Sequence, residues 1–162
     1  PEMRSTGEVM GYDAGFHRAF LKAQMGAGVK FPQSGVAFLS IKEADKGPDL
    51  VETAKVLTGL GFGLLATSGT AAYLGEHGIA AELVKKAYEG RPSVVDVMKD
   101  GGVQLVMNTT EGTQAVEDSR SLRAVALSDH IPYFTTLAGA HAAAHAMLAE
   151  RDGEIGVKAL QA

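Results

Sequence analysis

Four groups of residues in this chain carry side chains suited to holding an anion. They are Ser40 with Lys46 a little further on, Thr67-Ser68-Gly69-Thr70, Lys86, and Asn108-Thr109-Thr110. Hydroxyls and amides give directional hydrogen bonds, and ammonium groups give charge. A Gly-containing turn at a helix start offers unpaired backbone N–H groups at the positive end of the helix dipole. Together they describe a pocket for a phosphate or a carboxylate. Each has a plainer use when taken alone, because Ser, Thr and Asn cap helices in any fold, and capping is the commoner role for a turn such as Thr67–Thr70.

The elements that would position these groups alternate along the chain. Apolar runs predict strands at Val36–Ile41, Phe62–Ala66, Val103–Met107 and Tyr133–Thr135, with a weaker one at Glu82–Ala87. Between them, Leu50, Ala54, Leu57 and Leu60 recur at helical spacing, with Pro48 in the first turn and Gly61 at the end. Further helices are expected over 71–77, 94–99, 116–128 and 137–149. An earlier one is expected over 14–25, capped by Asp13 and stopped by Gly26 and Gly28. Strands alternating with helices imply an α/β fold, a mainly parallel sheet covered on both faces. Ligands of such sheets bind beyond the carboxyl ends of the strands, where the strand order reverses. The four polar groups lie there.

Composition narrows the field. With 15 Lys+Arg against 19 Asp+Glu, the net charge of −4 argues against a broad nucleic-acid footprint. It leaves room for one small anion in a local basic pocket. The absence of Cys excludes disulfides, thiolate metal sites and Cys nucleophiles. No apolar run is long enough to span a membrane, and the polar opening Pro1-Glu2-Met3-Arg4 does not read as a signal peptide. Because the first residue is not Met, the chain is expected to be a piece of a longer protein. Residues 26–35 (GAGVKFPQSG) read as a linker and a domain boundary.

Six segments stand in order over nearly the whole chain: Phe38–Lys46 (FLSIKEADK), Ala66–Thr70 (ATSGT), Glu89–Asp96 (EGRPSVVD), Asn108–Thr110 (NTT), Glu117–Ala124 (EDSRSLRA) and Pro132–Ala140 (PYFTTLAGA). As an ordered set they resemble the C-terminal allosteric domain of carbamoyl phosphate synthetase large subunits, which has the methylglyoxal-synthase-like fold. Ser5–Gly11 (STGEVMG) resembles the close of the ATP-using domain before it. The resemblance implies a three-layer α/β/α sandwich around a five-stranded sheet of order 3-2-1-4-5, with strands 1 and 4 flanking the switch point. It divides the chain into 1–30 (end of the ATP-using domain, helix and linker), 31–150 (allosteric domain) and 151–162 (tail).

The same resemblance implies a regulatory role. In bacterial members the pocket takes a nucleoside monophosphate, UMP inhibiting and IMP activating. Phosphate contacts would fall on Lys46, Thr67, Thr70, Lys86, Asn108 and Thr110, with Ser40 nearby. Ribose or base contacts would fall around Val94, Asp118 and Ser119. Tyr133 and Thr135 match half of an ornithine site whose carboxylates lie in preceding domains, so ornithine would bind weakly to this chain alone. Mammalian urea-cycle members take N-acetylglutamate here instead, and the Lys46, Thr67, Thr70, Lys86 and Asn108 set suits the nucleotide-binding type better. The implied partners are the rest of the large subunit and the glutaminase small subunit, in the cytoplasm, with pyrimidine and arginine biosynthesis as the setting. No nucleic acid or membrane is expected, and a homo-oligomer is compatible. The parent is an ATP-dependent ligase using ATP with Mg or Mn. The chain itself is expected to need no cofactor and to be non-catalytic.

The rival on the same fold is a free-standing methylglyoxal synthase, which eliminates phosphate from dihydroxyacetone phosphate with an Asp base after two glycines. Asp96 matches that position, but Val94 and Val95 replace the glycines. The catalytic His has no counterpart, since the matching stretch reads Val116-Glu117-Asp118-Ser119. Asp96 therefore reads as an acidic residue in a helix first turn. His141 and His145 have the spacing of a zinc pair, but Ala142 stands where H-E-x-x-H needs Glu and no third ligand is evident. They are expected to be structural, with no metal. Ser119 lacks a nucleophile elbow, and Arg120 and Arg123 read as a solvated helix face.

Overall fold

A computed structural model of the chain describes residues 9–109 and 113–153. Of the readings above, Thr110, the side chain of Asp118, Ser5–Glu8 and most of the 151–162 tail lie outside the described residues.

The chain forms β1 (Gly35–Ser40), β2 (Phe62–Ala66), β3 (Glu82–Leu83), β4 (Leu105–Asn108) and β5 (Tyr133–Phe134). Its helices are α1 (Phe16–Gly26), α2 (Pro48–Gly59), α3 (Ser68–Glu76), α4 (Val94–Lys99), α5 (Thr113–Ser128) and α6 (Leu137–Arg151). The five strands make one sheet of order β3-β2-β1-β4-β5, and every pairing is parallel.

Alternation along the central strands sorts the core into two layers. Ala37, Leu39, Leu64, Leu105 and Met107 face one way and pack with Leu50, Ala54 and Leu57 of α2, Leu74 of α3, and Ala140 and Ala144 of α6. Phe38, Leu65 and Val106 face the other way and pack with Val94 and Met98 of α4 and Leu122 and Ala126 of α5. This is the burial expected of a parallel sheet, whose crossover helices cover both faces. Gly61 ends α2 at φ +91°, in the left-handed region that a side chain would strain.

Three boundaries differ from the sequence reading for local reasons. α3 starts at Ser68 instead of 71, because Thr67 is already the extended N-cap residue. β3 is two residues long, not six; beyond it only an isolated bridge joins Lys85 to Ser93. Asp13 is not the N-cap of α1, which is Gly15. The Asp13 carboxylate accepts from the Gly15 amide and pairs with Arg18 and, at 2.6 Å, with Lys22. The Lys22 hydrogen bond is the main cause of a carboxyl pKa lowered to about 2.

α1 precedes the 26–35 segment and packs on the last helix of the sheet domain. It lies along α6, with Leu21 fully buried and the His17 ring stacked on His145 at 4.8 Å between centroids. Leu21→Ala should remove that anchor, since a buried Leu→Ala change costs about 2–5 kcal/mol. Amide hydrogen exchange should then quicken at least about tenfold across 16–26 while the β4 amides stay protected. Unchanged exchange in α1 would contradict the packing.

Candidate functional site

The register of the sheet brings the candidate residues to one edge. Ser40 pairs with Asn108 across β1–β4, and Leu39 with Ala66 across β1–β2. The ladder continues one residue further, Thr67 N–H donating to Leu39 and Thr109 N–H to Ser40. Ser40, Thr67 and Asn108 therefore stand side by side at the carboxyl end of the three central strands. Beyond them opens a cleft of about 290 Å³, lined by polar and charged groups including Ser40, Lys46, Thr67, Lys86 and Ser119 and by the apolar Phe38, Val94 and Leu122.

Short hydroxyl contacts hold the loop after β1 in place. Thr70 Oγ1 accepts from Ile41 N–H at 3.0 Å, and Thr109 Oγ1 accepts from Lys42 N–H at 2.8 Å. Thr70 is thus engaged in fixing the loop. Thr67 behaves differently. It occupies the N-cap position of α3, yet its hydroxyl makes no capping bond and lies 3.5 Å from Ser40 Oγ and 3.4 Å from Thr70 Oγ1. The commoner capping role is therefore not the one its side chain plays.

The two lysines differ in setting. The Lys46 side chain is only 11% exposed, and its Nζ lies 2.6 Å from Glu43 Oε2, a carboxylate that is itself 85% exposed. Nζ also lies over Gly69, 3.2 Å from where a Cβ there would sit, so a side chain at 69 would crowd the ammonium. Lys46 is thus a nearly buried cation against the amino end of α3, where the helix dipole is also positive. Lys86 is half-buried, its ammonium 5.8 Å from the centre of the Tyr88 ring. Lys42 also lines the cleft and pairs loosely with Asp45 at 3.8 Å.

Asn108 is buried and gives both amide hydrogens away, to Ser119 Oγ at 2.9 Å and to Tyr133 Oη at 2.7 Å. It ties β4 to α5 and β5 and holds Ser119 at the cleft wall. Tyr133 stands behind Asn108 without lining the cleft, its ring under the Arg123 guanidinium at 5.5 Å. Thr135 is exposed and away from the cleft. The structure thus gathers Ser40, Lys46, Thr67, Thr70, Lys86, Val94, Asn108 and Ser119 in one place. Lys42 and Glu43 line it too, and sequence reasoning missed both, because they cap and begin a 3₁₀ turn (Glu43–Asp45) that no periodicity announces.

Asp96 is engaged elsewhere. Its carboxylate accepts from Ser93 N–H at 2.8 Å and Ser93 Oγ at 3.2 Å, closing a capping box at the start of α4, and pairs with Arg91. The Arg91 hydrogen bond, then the Ser93 amide, holds the Asp96 carboxyl well below the usual carboxylate range. It does not line the cleft.

Comparison with known proteins agrees with this architecture. Residues 49–135 match the MGS-like domain family. The chain is 50% identical over 161 residues to a carbamoyl phosphate synthase large chain of Mesorhizobium japonicum and 48% identical to that of Rhizobium meliloti, covering 99% of this chain and 14% of each relative. It is 45% identical to a carbamoyl phosphate synthase large chain, C-terminal section, of Methanopyrus kandleri, covering 30% of that protein. The chain thus spans about one seventh of the length of the first two. With more than half of its residues matched and the parallel sheet order in place, the chain belongs to the MGS-like domain family.

Proposed function

We propose that this chain is the effector-binding domain of a carbamoyl phosphate synthase large chain and that its cleft takes the phosphate of a nucleoside monophosphate. One observation carries this reading: the Lys46 ammonium, nearly buried, faces the positive end of α3. Two positive ends in contact repel, and the exposed Glu43 only partly offsets this. A phosphate seated between them would answer both, taking charge from Lys46 and Lys86 and hydrogen bonds from Thr67 and the first amides of α3. Thr110 completes the proposed phosphate set, and Asp118 with Ser119 the ribose or base set. Phe38, Val94 and Leu122 would offer the base an apolar wall. UMP and IMP are the proposed inhibitor and activator, and each would act by preferring one state of the whole enzyme.

The whole enzyme's activity belongs to the same proposal: ATP-dependent synthesis of carbamoyl phosphate, with Mg or Mn, for pyrimidine and arginine biosynthesis in the cytoplasm. So does pairing with the glutaminase small subunit. Among the described residues no helix is long and apolar enough to cross a membrane. Ornithine is proposed as a weak ligand of this chain alone, because Tyr133 and Thr135 would supply only half of a site whose carboxylates lie in preceding domains.

Losing one charge-assisted hydrogen bond, roughly 1.5–3 kcal/mol, should weaken binding about tenfold to a hundredfold. Titration calorimetry should therefore show Lys46→Ala reducing UMP and IMP affinity together, with added salt weakening both. Substitution at Val94 should instead separate the two nucleotides. Unchanged affinity in both Lys46→Ala and Thr67→Ala would overturn the reading.

The rival elimination chemistry needs a free base, and the bonds of Asp96 give it a structural task. A carboxylate whose folded pKa is depressed stabilises above its ordinary pKa, near 4, and loses that contribution as pH falls through the folded value. Asp96→Asn should therefore lower the thermal midpoint at pH 7 and lower it less at pH 3, with no methylglyoxal released from dihydroxyacetone phosphate by either protein. Turnover by the wild type that Asp96→Asn abolishes would reinstate the rival.

A further inference from the structure

Outside the cleft, three elements bring four chemistry-bearing side chains together. His141 and His145 lie one turn apart on α6, Glu52 reaches them from α2, and His17 of α1 stacks on His145. None of them lines the cleft. The sequence shows only the i, i+4 histidine pair; the third group comes from 89 residues away.

The geometry suits coordination better than a simple ion pair. His141 Nε2 lies 3.1 Å from Glu52 Oε2, and His145 Nε2 lies 3.4 Å from Glu52 Oε1. One ligand atom from each of the three residues falls within 4.8 Å of the others. Bonds of about 2.0–2.1 Å at tetrahedral angles set ligand atoms about 3.3 Å apart. His145 Nε2 is buried and, although it lies 3.4 Å from Glu52 Oε1, makes no well-aligned hydrogen bond. Buried polar atoms in native proteins are nearly always satisfied, and a metal ion between Nε2 and the carboxylate would satisfy this one. Two imidazoles and a carboxylate are a donor set that zinc and its neighbours favour over the hard cations.

We propose that Glu52, His141 and His145 bind one divalent transition-metal ion, zinc foremost, which pins α2 to α6 and keeps one coordination position open to water. His17 is a packing neighbour whose stacked ring fixes the orientation of His145.

The test uses the untagged 162-residue chain, titrated with zinc chloride in a non-chelating buffer and, separately, with cobalt chloride. One equivalent of zinc should bind and raise the thermal midpoint, because a ligand of the folded state stabilises it. Cobalt should give the visible absorption of a four-coordinate ion. Even outer-shell changes cost metal sites 10–100-fold, so His145→Gln and Glu52→Gln should each weaken zinc binding on the order of a hundredfold. The double variant His141→Gln/His145→Gln should abolish the midpoint shift. Gln keeps the bulk of each partly exposed ring, and His77→Gln, on a separate surface, should change nothing. Absence of saturable binding to the wild type, or binding that survives in the double variant, would overturn the proposal.

Discussion

The architecture depends on β1. It is the one strand paired on both edges by long ladders, to β2 and to β4, and it is buried on both faces. A parallel strand in that position needs a crossover on each side. The chain supplies them by winding outward through β2 and β3 and then crossing to β4 and β5. The order reverses beside β1, and the cleft opens beyond the carboxyl ends of β1, β2 and β4, lined by the loops that leave them. Phe38, Leu39 and Met107 thus fix the site although only Phe38 reaches its wall.

Within that gap the local charges are set against each other. Lys46 is held where an ammonium is poorly solvated and faces a helix amino end. The loop carrying it is itself pinned, on one side by Thr70 and on the other by Thr109. Hydroxyls that sequence alone suggests as ligand contacts therefore divide into two kinds. Thr70 and Thr109 hold backbone amides of the loop, while the Thr67 hydroxyl contacts only the hydroxyls of Ser40 and Thr70 beside it. A pocket arranged this way is pre-organised, so an anion would meet donors already in place and would not have to order them.

Much of this was legible in the residues. The apolar runs at Val36–Ile41 and Val103–Met107 mark strands buried on both faces, and the polar groups following them mark the sheet edge. Where the reading failed, it failed at short elements. Glu82–Ala87 reads as a weak strand, with few apolar residues to bury, and tertiary pairing supports only two residues of it. Ser68-Gly69-Thr70 looked like a turn because those residues are weak helix formers, and the first turn of a helix asks little of propensity. Lys42 and Glu43 carry no periodic signal. Glu52 sits one residue from the buried Thr53 on an amphipathic helix, and only the fold shows that its carboxylate meets two histidines of α6.

The most direct test of the central claim is a nitrogen-15-edited NMR titration of the chain with UMP, repeated with IMP. Both nucleotides should move the same amides first and most, those of 67–70 and 40–46, because the phosphate they share would sit at the amino end of α3. Base-dependent differences should be confined to residues around Val94 and Ser119. Shifts concentrated elsewhere on the molecule, or no saturable shift with either nucleotide, would contradict the account.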